Sequence, residues 1–401
     1  MTESHSLDKA ATGDPAAAGA DSSVLSDADV ALLERAIYEV KRVIVGQDQL
    51  VERILVGLLA RGHILLEGVP GVAKTLAVET FAKVVGGSFS RVQFTPDLVP
   101  TDLIGTRIYR QGREEFDTEL GPVVANFLLA AEINRAPAKV QSALLEVMAE
   151  RHVSIGGKTY PMPDPFLVMA TQNPIENEGV YPLPEAQRDR FLFKVLVDYP
   201  SVEEEREIVY RMGNVPPTAS QVLDPAAMLR LQKTAANVFV HHALVDYVVR
   251  VINATRRPAE LGLNDVASWL SYGASPRATL GIVAAARALA LVRGRDYVIP
   301  QDIVEIMPDV LRHRLVLSYD ALADEIDADQ VITRVLQTVG LPQVGAQPVQ
   351  SSYPAAPQGQ GQTGAPPAGA PQPAQQGANG YAGQQVPQGS GPVNPNARYG
   401  G

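Results

Sequence analysis

Residues 64–76 read ILLEGVPGVAKTL. A glycine-rich turn that closes on Lys-Thr can wrap an anion. Its backbone N–H groups point inward, a lysine reaches the β- and γ-phosphates of a nucleotide, and a hydroxyl meets the Mg²⁺ that travels with them. The pattern G-x-x-x-x-G-K-[ST] asks for a second glycine before the lysine, and this chain has Ala73 there. Position 73 lies where the loop enters a helix, so a negative φ is expected, and alanine tolerates negative φ. Gly68 and Gly71 remain to make the tight turn, with Val69, Pro70 and Val72 between and beside them. Lys74 then supplies the charge, Thr75 the hydroxyl for the metal, and Leu76 the first apolar position of the helix.

Hydrolysis of a bound triphosphate needs carboxylates at the end of a neighbouring strand, one tied to Mg²⁺ through water and one to polarise the attacking water. FLLAAEINR (127–135) has the right character, and Glu132 is the candidate for polarising water. The preceding position, where the metal-linked aspartate is expected, is Ala131. Side chains of adjacent strand residues point to opposite faces, so Glu132 is not expected to replace its neighbour. The expectation is ATP binding through the loop with weak Mg²⁺ positioning and slow hydrolysis. Ala131 marks either a naturally poor hydrolase or a replaced aspartate. A further run ends in ATQNP, placing Asn173 where an amide can meet the γ-phosphate.

Two arginine motifs follow. PEAQRDRF (184–191) carries Arg188 and Arg190, either of which could stabilise transition-state charge on a neighbour's γ-phosphate. In ASPRATL (274–280), Ser275 suits a helix N-cap and Pro276 the first helical position. Arg277 then falls in the first turn, where the helix dipole disfavours a cation unless an incoming phosphate compensates.

These groups need a scaffold to hold them. Short apolar runs at 63–66, 90–94, 126–132, 166–171 and 193–197 alternate with helical patterns, the signature of a parallel sheet buried on both faces. Residues 201–340 look nearly all helical, so an α/β core (26–200) followed by a helical domain (201–342) is expected, with the boundary near Pro200. The arm at 1–25 and the Pro/Gln/Gly-rich tail at 343–401, punctuated by Tyr353, Tyr381 and Tyr399, cannot bury enough apolar area to offset chain entropy and are expected to be disordered. The 401 residues include no cysteine, which excludes disulfides and thiolate metal sites. With 46% hydrophobic and 19% charged residues, no apolar leader, and a longest apolar segment (280–292) that is short and interrupted by Arg287, the composition fits a soluble cytoplasmic protein with no membrane insertion. A net charge of −10 argues against nucleic acid as the main partner.

GVPGVAKT, AAEINRAPAKVQSALLEVMAE, ATQNPIENEGVYPLPEAQRDRF and SPRATL, in this order, resemble the MoxR family of AAA+ ATPases over roughly residues 30–330. Alanine at position 73 is normal in that family's loop, whereas alanine at 131 departs from its Asp-Glu pair. The resemblance implies an AAA+ αβα core plus a helical lid, assembled as a homo-oligomeric ring, usually a hexamer, with ATP between protomers. It assigns Lys74, Thr75 and Glu132 to the Walker positions and Asn173 to the first sensor. Arg190 falls on the arginine finger and Arg277 on the second sensor, which in this clade can serve the neighbour's nucleotide. IVGQDQ (44–49) would lie near the adenine, with Val45 and Gly46 as the contacts. Two insertions, 96–122 and 151–165, would face the pore or a partner; IYRQGREEF in the first reads independently as a hairpin with glycine at its turn, and the second resembles the family's hairpin before the first sensor. MoxR proteins resemble chaperones that remodel client proteins, often with a partner bearing a von Willebrand A domain. The competing readings are a ring scaffold that binds ATP without turnover and, less favoured, a nucleic-acid motor. His241 and His242 sit about 100° apart on a helix and make a poor chelate. Trp269 reads as packing at a helix end, and Asp97 and Asp102 lie in the insert, away from the missing carboxylate's position.

Overall fold

The computed structural model describes residues 25–112, 114–174, 179–213 and 215–342. The expected arm and tail, including Tyr353, Tyr381 and Tyr399, lie outside the described residues, apart from Leu25. Helices α1 (Asp27–Val43) and α2 (Asp48–Leu59) precede β1 (Ile64–Gly68) and α3 (Lys74–Val85). Next come β2 (Phe89–Gln93), α4 (Pro100–Ile104), the pair β3 (Gly105–Arg110) and β4 (Glu115–Leu120), then β5 (Phe127–Ala131) and α5 (Ala138–Glu150). A second pair, β6 (His152–Ile155) and β7 (Lys158–Pro161), leads to β8 (Leu167–Gln172), α6 (Glu185–Arg188) and β9 (Phe193–Val197). The remainder is mostly helical: α7 (Val202–Met212), α8 (Pro225–Asn237), α9 (His242–Arg256), α10 (Asn264–Trp269), α11 (Pro276–Val292), α12 (Pro300–Leu311), α13 (Tyr319–Ala323) and α14 (Ala328–Thr338), with a small pair formed by β10 (Leu270–Tyr272) and β11 (Val316–Leu317).

The five runs form one five-stranded sheet in the order β2-β5-β8-β1-β9, with every pairing parallel. Parallel neighbours demand crossovers, and helices fill them on both faces. The period of two divides each strand's side chains between two cores. Ile64, Leu66, Phe127, Leu129, Leu167 and Met169 join one apolar cluster, whereas Leu65, Leu128, Ala130, Val168 and Ala170 join the other. The first cluster continues without a break through α1 and α2 into Val248, Ile282 and Ile306 of the helical half. Both inserts contain antiparallel hairpins, β3–β4 with Tyr109 opposite Phe116 and β6–β7 with Val153 opposite Tyr160. Among the described residues no helix is long and apolar enough to cross a membrane.

His63 fixes the entry to β1. Its Nδ1 accepts the Val168 N–H at 3.0 Å and its Nε2 lies 3.2 Å from the Met148 carbonyl. Burial, with the nearby Arg151 charge, pushes its pKa down to about 4. A neutral His63 therefore stabilises the fold fully above the ordinary pKa of 6.5, and that contribution is lost as pH falls towards 4. The difference corresponds to about 3 kcal/mol. Denaturant unfolding at stepped pH should show His63→Gln less stable at neutral pH but with a flatter decline across this window; parallel curves would refute the assignment.

Candidate functional site

The loop between β1 and α3 wraps one side of a cavity of about 360 Å³, to which Pro70, Gly71, Ala73, Lys74, Thr75 and Leu76 contribute. Gly68 must be glycine for packing, because a Cβ there would stand 2.3 Å from the Val197 carbonyl of β9. Lys74 folds back so that its ammonium donates to the carbonyls of Gly68 and Val69. Burial lowers its pKa, against the raising influence of Glu132 and Glu67. Val72 is buried beneath the loop.

Ala73 corrects one expectation. Its φ is +58°, in the left-handed region, rather than negative. The turn that brings the amides around an anion sets this angle, and alanine accepts it at a cost of about 1–2 kcal/mol. Glu132 corrects another. The strand ends at Ala131, and Glu132 has φ +58° as the cap of a 3₁₀ turn at Ile133–Arg135. The alternation that would send neighbouring side chains to opposite faces stops there, so Ala131 and Glu132 both line the cavity. The Glu132 N–H donates to Thr171 Oγ1 at 2.9 Å, and its carboxylate pairs with Arg135 at 2.8 Å.

Asn173 lines the same cavity, at the C-terminal end of β8. So do Arg91, Gln93, Thr171 and Gln172, none of which was anticipated. The signal for the first two was present: in RVQF, Arg91 and Gln93 alternate with the buried Val92 and Phe94 on the edge strand. Thr75 offers a hydroxyl, Ala131 offers no oxygen, and Glu132 is the one carboxylate lining the cavity among the described residues. That donor set fits a Mg²⁺ that arrives with a nucleotide's phosphates and keeps its waters, rather than a resident ion.

Val45 and Gly46 stand apart from this lining. Gly46, at φ +64°, packs against the head of α7, where a Cβ would come within 2.6 Å of the Glu204 carboxyl. His241 caps α9, its Nδ1 accepting from the Ala243 N–H at 3.2 Å. Asp102 caps α4 by accepting the Val99 N–H at 2.9 Å, and Trp269 packs partly buried at the end of α10.

The arginines are elsewhere. Arg190 and Arg277 line a second cavity of about 360 Å³ with Gly62, His63, Asp189 and Arg314, and none of its residues belongs to the first. Gly62 and His63 precede β1, whereas the loop follows it. At about 3.3 Å per residue the strand separates the two cavities by roughly 15 Å, beyond the reach of an arginine side chain. Ser275 caps α11 and Pro276 opens it, as expected, and Arg277 Nη1 lies 3.7 Å from Asp189. Arg188 pairs with Glu185 at 3.6 Å.

A parallel sheet in this order, with an anion loop after β1, polar ends on the neighbouring strands and a helical half behind it, defines a nucleotide-binding ATPase of the AAA+ class with its lid. Residues 63–193 match the family described as "ATPase family associated with various cellular activities (AAA)", and residues 264–335 match the AAA lid domain. Chaperone MoxR1 of Mycobacterium tuberculosis is 80% identical over 323 residues, which cover 80% of this chain and 86% of that protein. Protein MoxR of Methylorubrum extorquens is 34% identical, with 76% and 93% covered. A crystal structure of a protein from Cytophaga hutchinsonii superposes with a TM-score of 0.75 at 46% identity, covering 79% of this chain and 96% of that one. The chain belongs to the MoxR family of AAA+ ATPases.

Proposed function

We propose that this chain binds ATP at the loop around Lys74 and Thr75 and acts as a chaperone-like ring, usually hexameric, in which Arg190 and Arg277 of one protomer close over the nucleotide of the next. The observation that carries this reading is the placement of phosphate loop and arginines at opposite ends of β1. A site so divided is completed by a second copy. Lys74 and the loop amides hold the phosphates, Asn173 meets the γ-phosphate and Glu132 orients the attacking water. Mg²⁺ bound through Thr75 would neutralise phosphate charge. Val45 and Gly46 contact the adenine side. The chaperone role follows the name of the M. tuberculosis relative. Client proteins and a von Willebrand A domain partner, in the cytoplasm, follow the wider family resemblance. The two hairpins offer themselves to such partners.

Ala131 makes hydrolysis slow in this chain, so that binding outlasts turnover and the ring behaves much as a scaffold. Calorimetry of the full chain should give saturable ATP binding that Lys74→Ala weakens by more than about tenfold, the expected effect of losing a charge-assisted phosphate contact. ATP should also drive assembly, read by sedimentation velocity. Absence of binding, or binding indifferent to Lys74, would overturn the proposal.

A further inference from the structure

Between the two arginines lies a carboxylate that the reaction scheme does not use. Asp189 directly precedes Arg190, and its side chain is 19% exposed. Ser275 Oγ sits 2.9 and 3.1 Å from its two oxygens, Arg314 Nε donates to it at 2.8 Å, and Arg277 Nη1 approaches to 3.7 Å. Ser275 Oγ also accepts the Arg277 N–H at 3.2 Å, so one hydroxyl ties the start of α11 to this carboxylate. Arg314, 4% exposed, clasps the same segment through its backbone. It donates to the carbonyls of Asp189 at 3.3 Å, Phe191 at 2.5 Å and Leu192 at 3.0 Å, and to that of Val310 on α12.

Three separate pieces of chain therefore meet at one side chain: the finger segment, the head of α11 and the end of α12. An arginine in the first turn of a helix is electrostatically disfavoured, and a carboxylate placed before that helix offsets the penalty. A guanidinium held on a flexible stem is also costly to order, and fixing it beforehand removes that cost from the binding step.

We propose that Asp189 is a positioning residue that yokes Arg190 and Arg277 into a single arginine pair aimed at the neighbouring protomer's triphosphate. It contacts neither the nucleotide nor the attacking water. Through Ser275 and Arg314 it sets where both arginines stand, so the two move as one unit when protomers engage. This rests on the trans reading proposed above.

The test follows ATP-driven assembly of the full chain by sedimentation velocity. Asp189→Asn keeps the size and one acceptor oxygen but removes the charge. It should raise the ATP concentration for half-assembly about tenfold or more, while Asp189→Glu stays within about threefold of the parent. Arg190→Ala should shift assembly in the same direction. The decisive readout is complementation. Lys74→Ala protomers carry intact arginines and no phosphate grip, so at an ATP concentration too low to assemble either variant alone, mixing them with Asp189→Asn protomers should form mixed pairs across the one interface that has both an intact loop and intact arginines. A purely structural defect in Asp189→Asn would not be rescued by a partner, and that outcome overturns the proposal, as does assembly of Asp189→Asn at the parental ATP concentration. If Arg190→Ala also assembles normally, the trans reading itself falls; if only Arg190→Ala is impaired, the Asp189 assignment alone falls.

Discussion

Ala131→Asp is expected to raise the ATP turnover of this chain by about a hundredfold or more, the scale on which a positioned charge-stabilising group acts. The physical case starts from the lining of the loop cavity. Lys74 and Arg91 bring two cations to it, and Glu132 brings the single carboxylate among the described residues, already paired with Arg135 at 2.8 Å. Ala131 sits at the end of β5, 6% exposed, with Gln93 as its cross-strand partner. A carboxylate at that position would stand on a rigid central strand and face the cavity, because the break in alternation at Glu132 leaves both side chains on this side. It would give the phosphate-bound metal a second protein anchor and free Glu132 for water alone. The added charge enters a cavity that holds Lys74, so its burial is compensated. Steady-state phosphate release measured on parent and variant decides the matter. ATP affinity should change far less than turnover, since the loop makes the ground-state contacts. An unchanged rate would mean that Ala131 does not limit turnover or that Glu132 already serves both tasks.

Much of this site was legible in the residues because strand alternation and loop chemistry are local. The five apolar runs became the five sheet strands, and GVPGVAKT became the loop, because each pattern has few compatible conformations. Two backbone angles were not legible. The φ of Ala73 is set by closure of the loop, and that of Glu132 by the need to end β5 and enter a 3₁₀ turn. Both are decided by where the chain must go next, which single-residue preference does not encode. Arg91 and Gln93 were missed for a different reason: alternation says which residues share a face, but only the strand order places β2 beside β5, next to the loop cavity. The separation of Arg190 and Arg277 from the loop is likewise topological. PEAQRDRF and SPRATL reveal arginines of the right type, while their place beside the start of β1, rather than at its far end with the loop, emerges only from the fold.

That separation makes a prediction with a larger amplitude. In the Ala131→Asp background, Arg190→Ala should lower turnover by about a thousandfold, as loss of an arginine that stabilises phosphoryl transition-state charge commonly does. Arg277→Ala should act in the same direction. ATP binding to dilute protomers should be nearly unchanged, because in the isolated chain no residue is shared between the two cavities. The arrangement between copies can be read by doping active rings with inactive subunits. A Lys74→Ala subunit silences its own site, and an Arg190→Ala subunit silences its neighbour's. A subunit carrying both changes silences two sites if the arginine works in trans but only one if it works in cis. At low dopant fractions the double variant should therefore depress activity about twice as steeply as either single variant, provided sites act independently. Equal slopes would place the arginine on its own protomer's nucleotide, despite the roughly 15 Å that β1 sets between the two cavities, and would overturn the trans reading.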